Sequence, residues 1–286
     1  MVSIRPAYSF DAVTVEPLDW IDIVTPDWAW GDSSGKGVKV AVVDSGIDAT
    51  HPDVGPVQGY VAIREDDSRQ LVYDTEPHDD SVGHATGCAS VIRSLAPSCE
   101  LYSVKVLGTG NTGSGPVFAA GLRWALDNGM NVCNLSLGTT NREFFCLLHE
   151  LADRAYFGNV ALVTAANNMP IPSFPSLYSS VISVASHAKQ DPYTFYYNPR
   201  PPVEFEALGI DVRLAWIKHT HITTTGNSFA APHITGLVAK ILGKHPKVTV
   251  FQLKTILRQL AANVDRTKVG LPPRLPGEPR REESTA

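Results

Sequence analysis

Apolar residues fall along this chain in two rhythms that take turns. Short apolar runs recur at 38–44 (VKVAVVD), 101–107 (LYSVKVL), 131–137 (NVCNLSL), 161–166 (ALVTAA) and 181–186 (VISVAS). Runs of that length, apolar throughout and rich in β-branched residues, read as strands buried on both faces. Helical spacing marks 84–95, 116–130, 142–156, 228–246 and 248–264. In 116–130, Val117, Leu122, Trp124, Ala125 and Leu126 recur on one side, and Gly129 reads as the C-cap. Pro232 lies in the first turns of the 228–246 helix. Strands alternating with helices predict an α/β fold: a doubly wound, mostly parallel central sheet with helices on both faces, in three layers.

The ends lack either rhythm. Residues 1–37 read as an irregular N-terminal extension packing on a main domain at 38–266. Residues 267–286 carry four prolines and no apolar period, and read as a disordered tail. The stretch GTGNTGSG at 108–115 is glycine-rich and flexible.

Composition removes several classes. The 286 residues are 43% hydrophobic and 19% charged, with a formal charge of −5. No basic stripe suggests nucleic acid, and no run approaches a membrane span. Asp11, Glu16 and Asp19 interrupt the N-terminus, so no signal peptide is visible and a cytoplasmic location is expected. Cys88, Cys99, Cys133 and Cys146 form no C-x-x-C pair, so four free thiols are expected rather than zinc.

Three polar residues stand at element ends. Ligands of a doubly wound sheet sit at the carboxyl ends of its strands. Asp44 ends the first strand, where a turn or capping aspartate is also common. His84 opens a helix after a polar loop, as a catalytic, capping or surface histidine, or as part of a metal cluster with His78, Asp79 and Asp80. Ser228 follows a Gly-Asn turn and starts an apolar helix. It could be a cap, but Gly226, Ala230 and Ala231 leave room around its hydroxyl, and a helix N-terminus favours a developing oxyanion.

Taken together, VAVVDSGIDATHPDV, GHATGCA and GNSFAAPHITG resemble the aspartate, histidine and serine motifs of the subtilase family, in that order. LAPSCELYSVKVLG, GLRWALDNGMNVCNLSLG and VTAANN extend the resemblance over about residues 20–262. It implies a serine endopeptidase with a triad of Asp44, His84 and Ser228 and an oxyanion-hole side chain from Asn168. It also implies that an extended peptide substrate lies between Leu135, Ser136, Leu137 and Gly138 on one edge and Thr112, Gly113 and Ser114 on the other.

Departures from the family pattern bear on specificity. Ala85 and Gly87 follow His84, Asn227 and Phe229 flank Ser228, and Asn167 stands where the family has glycine. The Asn167 side chain is expected to narrow the first specificity pocket. Cys88, four residues after His84 on one helix, is expected beneath it. No cofactor is expected. The loop between His84 and Pro97 is too short for the calcium site of relatives, of which only Asp53 matches a ligand. Two other functions compete with hydrolysis: a silent fold that binds peptides, although no triad residue is lost, and an acyl transferase making cyclic peptides, although no shielding insertion is visible. A role in maturing a peptide product is plausible.

Overall fold

The computed structural model describes residues 24–200 and 202–264. The expected disordered tail and residues 1–23 of the N-terminal extension lie outside them. Within that extension the expectation of irregular chain needs one correction. Thr25 Oγ1 accepts the Trp28 N–H at 3.0 Å, and Pro26 supplies a pre-set first position, so α1 forms at Pro26–Ala29.

The buried strands lie where the apolar runs put them, with ends shifted by one or two residues. β1 is Lys39–Asp44, and it is followed by β2 (Gly59–Glu65) and β3 (Leu71–Asp74). Helix α2, His84–Leu95, leads to β4 (Glu100–Lys105), α3 (Gly115–Asp127) and β5 (Val132–Leu135). A 3₁₀ turn at Arg142–Phe144 opens into α4 (Phe145–Phe157), so this helix starts later than its spacing suggested. Next come β6 (Ala161–Ala165), β7 (Ile182–His187), β8 (Tyr196–Tyr197) and β9 (Phe205–Leu208). A ribbon of β10 (Val212–Trp216) and β11 (Thr220–Thr224) precedes α5 (Asn227–Lys244) and α6 (Val250–Leu260). Thr249 and Gln252 form a capping box at the start of α6.

Nine strands form one sheet in the order β3-β2-β4-β1-β5-β6-β7-β9-β8. Every pairing from β2 to β9 is parallel, and only β3 and β8 run antiparallel at the borders. β1 sits between β4 and β5, with Val42 level with Ser103 and Asn134. Its side chains alternate between two cores: Val40 and Val42 pack with residues of α2, α5 and α6, Ala41 and Val43 with residues of α3 and α4. Both faces of the central strands are dry, which is why those strands read as continuous apolar runs. The three-layer α/β expectation holds. β10 and β11 pair apart from this sheet, and α2 packs against β10.

Candidate active site

Asp44 is the last residue of the central strand and His84 the first of α2. This topology brings them together although 40 residues separate them. His84 Nδ1 lies 2.9 Å from each carboxylate oxygen of Asp44. A carboxylate only accepts, so Nδ1 carries the proton and Nε2 keeps its lone pair. The Ser45 N–H also donates to Asp44 Oδ1 at 2.7 Å. Asp44 is fully buried. Burial pulls the His84 pKa down, but the charge and hydrogen bond of Asp44 more than offset it, and the net shift is upward.

The start of α2 is built around a residue whose role the sequence did not disclose. Asp80 Oδ2 accepts from the Thr86 N–H at 3.0 Å and the Thr86 hydroxyl at 2.8 Å. Its Oδ1 accepts from the Val82 N–H at 2.9 Å and Ser45 Oγ at 3.0 Å. Ser45 Oγ in turn accepts the Ala85 N–H. Asp80 thus caps the helix and ties it to the chain after Asp44. Gly83 stands before His84 at φ +99°, and a Cβ there would meet the Trp216 indole at 2.5 Å. The alternative metal cluster does not gather: His78 bonds Ser103 Oγ, Lys105 bonds the Asp79 carbonyl, and Asp80 is used as described.

Ser228 is the second residue of α5 rather than its cap, a place Gly226 takes. In that first turn its N–H has no helical acceptor. Gly226 keeps its approach open, since a Cβ there would lie 3.2 Å from Ser228 Oγ. Four residues on, Pro232 has no N–H to give to the Ser228 carbonyl. Ser136 Oγ fills the gap at 2.7 Å, with Cys88 Sγ at 3.4 Å. Ser136 itself is held by Asn134 Nδ2 at 3.0 Å, and Asn134 Oδ1 accepts from Thr235 of α5 at 2.9 Å. The Phe229 ring packs on the His84 imidazole, centroids 5.2 Å apart. Cys88 is fully buried, and it lies with its sulfur within 4.8 Å of ligand atoms of Asp44 and His84. Burial first, then the Asp44 charge, pushes its pKa well up. All four cysteines are free thiols, as expected.

Asn168 is exposed on the loop after β6. Its Oδ1 accepts the Asn227 N–H at 2.8 Å, which leaves Nδ2 as a free donor beside the start of α5. Asn167 turns its side chain back on its own loop, where Oδ1 accepts the Met169 N–H at 2.9 Å.

The expected substrate edges separate into two kinds. Thr112, Gly113, Leu137 and Gly138 keep some or most of their surface exposed, and Ser114 caps α3 through the Val117 N–H. Leu135 is fully buried in the core beneath α3 and α4, and its strand pairs with β6 at Thr164. Ser136 is buried and spends its hydroxyl on Ser228. For these two, the side chains serve the core and the helix of Ser228. Asp53, which matches a calcium ligand of relatives, bonds His221 Nε2 through Oδ2 at 2.7 Å. Calcium takes six to eight oxygens, and this carboxylate oxygen is already engaged by His221.

A family profile described as the subtilase family matches residues 35–272. A thermostable alkaline protease of Halalkalibacterium halodurans is 32% identical over 238 residues, which are 79% of this chain and 63% of that protein. Subtilisin Savinase of Lederbergia lenta is 32% identical over 247 residues, 82% of this chain and 87% of that one. The solved structure of sphericase superposes with a TM-score of 0.65 at 25% identity, covering 81% of this chain and 85% of that one. The chain therefore spans less than two thirds of the alkaline protease and most of the two others. Among the described residues no helix is long and apolar enough to cross a membrane.

Proposed function

The chain belongs to the subtilase family, and on that premise we propose that it is a serine endopeptidase working through an acyl-enzyme. The observation that carries this reading is the doubly hydrogen-bonded Asp44–His84 pair, with Nε2 left as a base next to the helix that begins at Asn227 and Ser228. Ser228 Oγ attacks the carbonyl carbon of an extended peptide while its proton passes to His84 Nε2. Asp44 stabilises the imidazolium without taking the proton. The Ser228 N–H and Asn168 Nδ2 hold the tetrahedral oxyanion. When the C–N bond breaks, His84 gives its proton to the leaving amine. Water then repeats the sequence on the ester and frees Ser228. The substrate lies along the exposed rims at 112–114 and 137–138.

No step requires a metal ion. The test is mass spectrometry of a proteome-derived peptide library after incubation with wild type and Ser228→Ala. Wild type should cut the library and the variant should not, since losing the nucleophile of such a triad costs about 10⁶ in turnover. Asn168→Ala should cost about 10²–10³, one donor of several. Joined rather than shortened peptides would replace hydrolysis by acyl transfer. An inert wild type, or a Ser228→Ala variant as active as it, would overturn the reading.

A further inference from the structure

Asn227, between the Gly226 cap and Ser228, uses every polar group it has. Its backbone N–H donates to Asn168 Oδ1 at 2.8 Å. Its side-chain Oδ1 accepts the Ser186 N–H at the end of β7, at 2.9 Å. Its Nδ2 donates to the Ala166 carbonyl at 3.2 Å and to the Asn167 carbonyl at 3.1 Å. A carboxamide offers two donors and an acceptor, and all three are engaged on different pieces of main chain.

The two donors assigned to the oxyanion come from separate elements. One is the Ser228 N–H on α5, the other the Asn168 side chain on the loop after β6. Such donors act only if held within a fraction of an ångström of the developing charge. Asn227 is bonded covalently to the first, through three hydrogen bonds to the loop that carries the second, and through a fourth to β7. The threonine that the family resemblance places here has one hydroxyl and one donor, so it cannot span both carbonyls and the Ser186 N–H.

We propose that Asn227 is a positioning residue that locks the Asn167–Asn168 loop to the N-terminus of α5, so that the two oxyanion donors form one rigid unit. This rests on the serine-protease reading above. It acts in the transition state, where the oxyanion exists, and not on ground-state binding.

Steady-state kinetics on a chromogenic peptide anilide test it, with the folded fraction of each variant measured by thermal melt. Asn227→Ala should lower kcat per folded molecule about 10- to 100-fold, the scale of a misplaced reacting group, with KM little changed. Asn227→Asp keeps the acceptor but loses both Nδ2 donors, and Asn227→Thr keeps at most one, so both should fall as well. The double variant Asn168→Ala/Asn227→Ala should lie within about 2-fold of Asn168→Ala alone, because the lock has no second donor left to place. Penalties that multiply, or kcat per folded molecule equal to wild type, would overturn the proposal. Should the alanine variant fail to fold, the aspartate and threonine variants read the same cycle. If Ser228→Ala keeps wild-type activity, the protease reading fails. If Ser228→Ala is dead and Asn227→Ala is not slowed, the lock alone fails.

Discussion

Cys88 is a buried thiol that touches the site without a place in its chemistry. It donates to the Ser136 hydroxyl and the Ser228 carbonyl at 3.4 Å, and its raised pKa keeps it protonated and a poor nucleophile. Anything bulky added to that sulfur must displace His84 or the Ser228 carbonyl. A mercurial should therefore inhibit wild type slowly and spare Cys88→Ala, read as time-dependent loss of peptidase activity. Equal inhibition of both would place the sensitive thiol elsewhere. His84 makes a second residue-scale prediction. On the proposed mechanism its imidazole must be neutral to take the Ser228 proton, and its pKa is held above the ordinary value of about 6.5. The rising limb of kcat/KM should then have its midpoint above that value. The charged pair stabilises the fold fully below the unfolded-state pKa, and that contribution is lost as pH rises through the raised folded one. Activity should climb with pH across the window in which thermal stability declines. A limb centred below 6.5 would contradict the role of Asp44.

Helix α2 depends on a contact that lies outside it. Gly83 takes a left-handed backbone and lets the Trp216 indole of β10 come within van der Waals range, just before His84. Gly83→Ala meets the indole and carries about 1–2 kcal/mol of backbone strain. At 2–4 °C per kcal/mol for a chain of this size, the melt should fall by roughly 4 °C or more. Adding Trp216→Ala should recover part of that loss, since the clash goes and the strain stays. No recovery would mean that the indole does not set the helix start. Ribbon and hairpin were also what the sequence concealed. The strands found by pattern are those dry on both faces. β2 and β3 are half-exposed, and β11 (THITT) is polar and mostly solvent-facing, so neither gives a continuous apolar run. The site divides in the same way. Asp44, His84 and Ser228 stand in motifs, each beside its own strand or helix boundary. Asp80 was weighed only as a metal ligand and Asn227 only as a departure beside Ser228, and their bonding roles stayed hidden because their partners lie up to 61 positions away in the chain. Ser136 looked like a substrate contact. Its bond to Ser228, 92 positions distant, exists because Pro232 empties a helical carbonyl.

At the scale of the molecule, the sheet lies between two buried cores that share the side chains of its central strand. Asp53 meets His221, and this pair joins the chain after β1 to β11. Millimolar calcium should shift the melting temperature by less than about 2 °C against excess chelator, whereas a site held at 100 times its dissociation constant would add about 2.7 kcal/mol and roughly 5 °C or more. A large shift would reveal another calcium site. The borders of the sheet have a further consequence. β3 has four residues and β8 two, each turned against the run of its neighbours. Asp66 and Asp67 precede β3, and Asp74 and Glu76 close it. An unpaired strand edge invites any extended chain to lie down on it, and a protease meets loose polypeptide constantly. Margins of four and two residues, the first flanked by carboxylates, leave such a visitor almost no ladder to extend, so the sheet ends where a stray chain would otherwise begin.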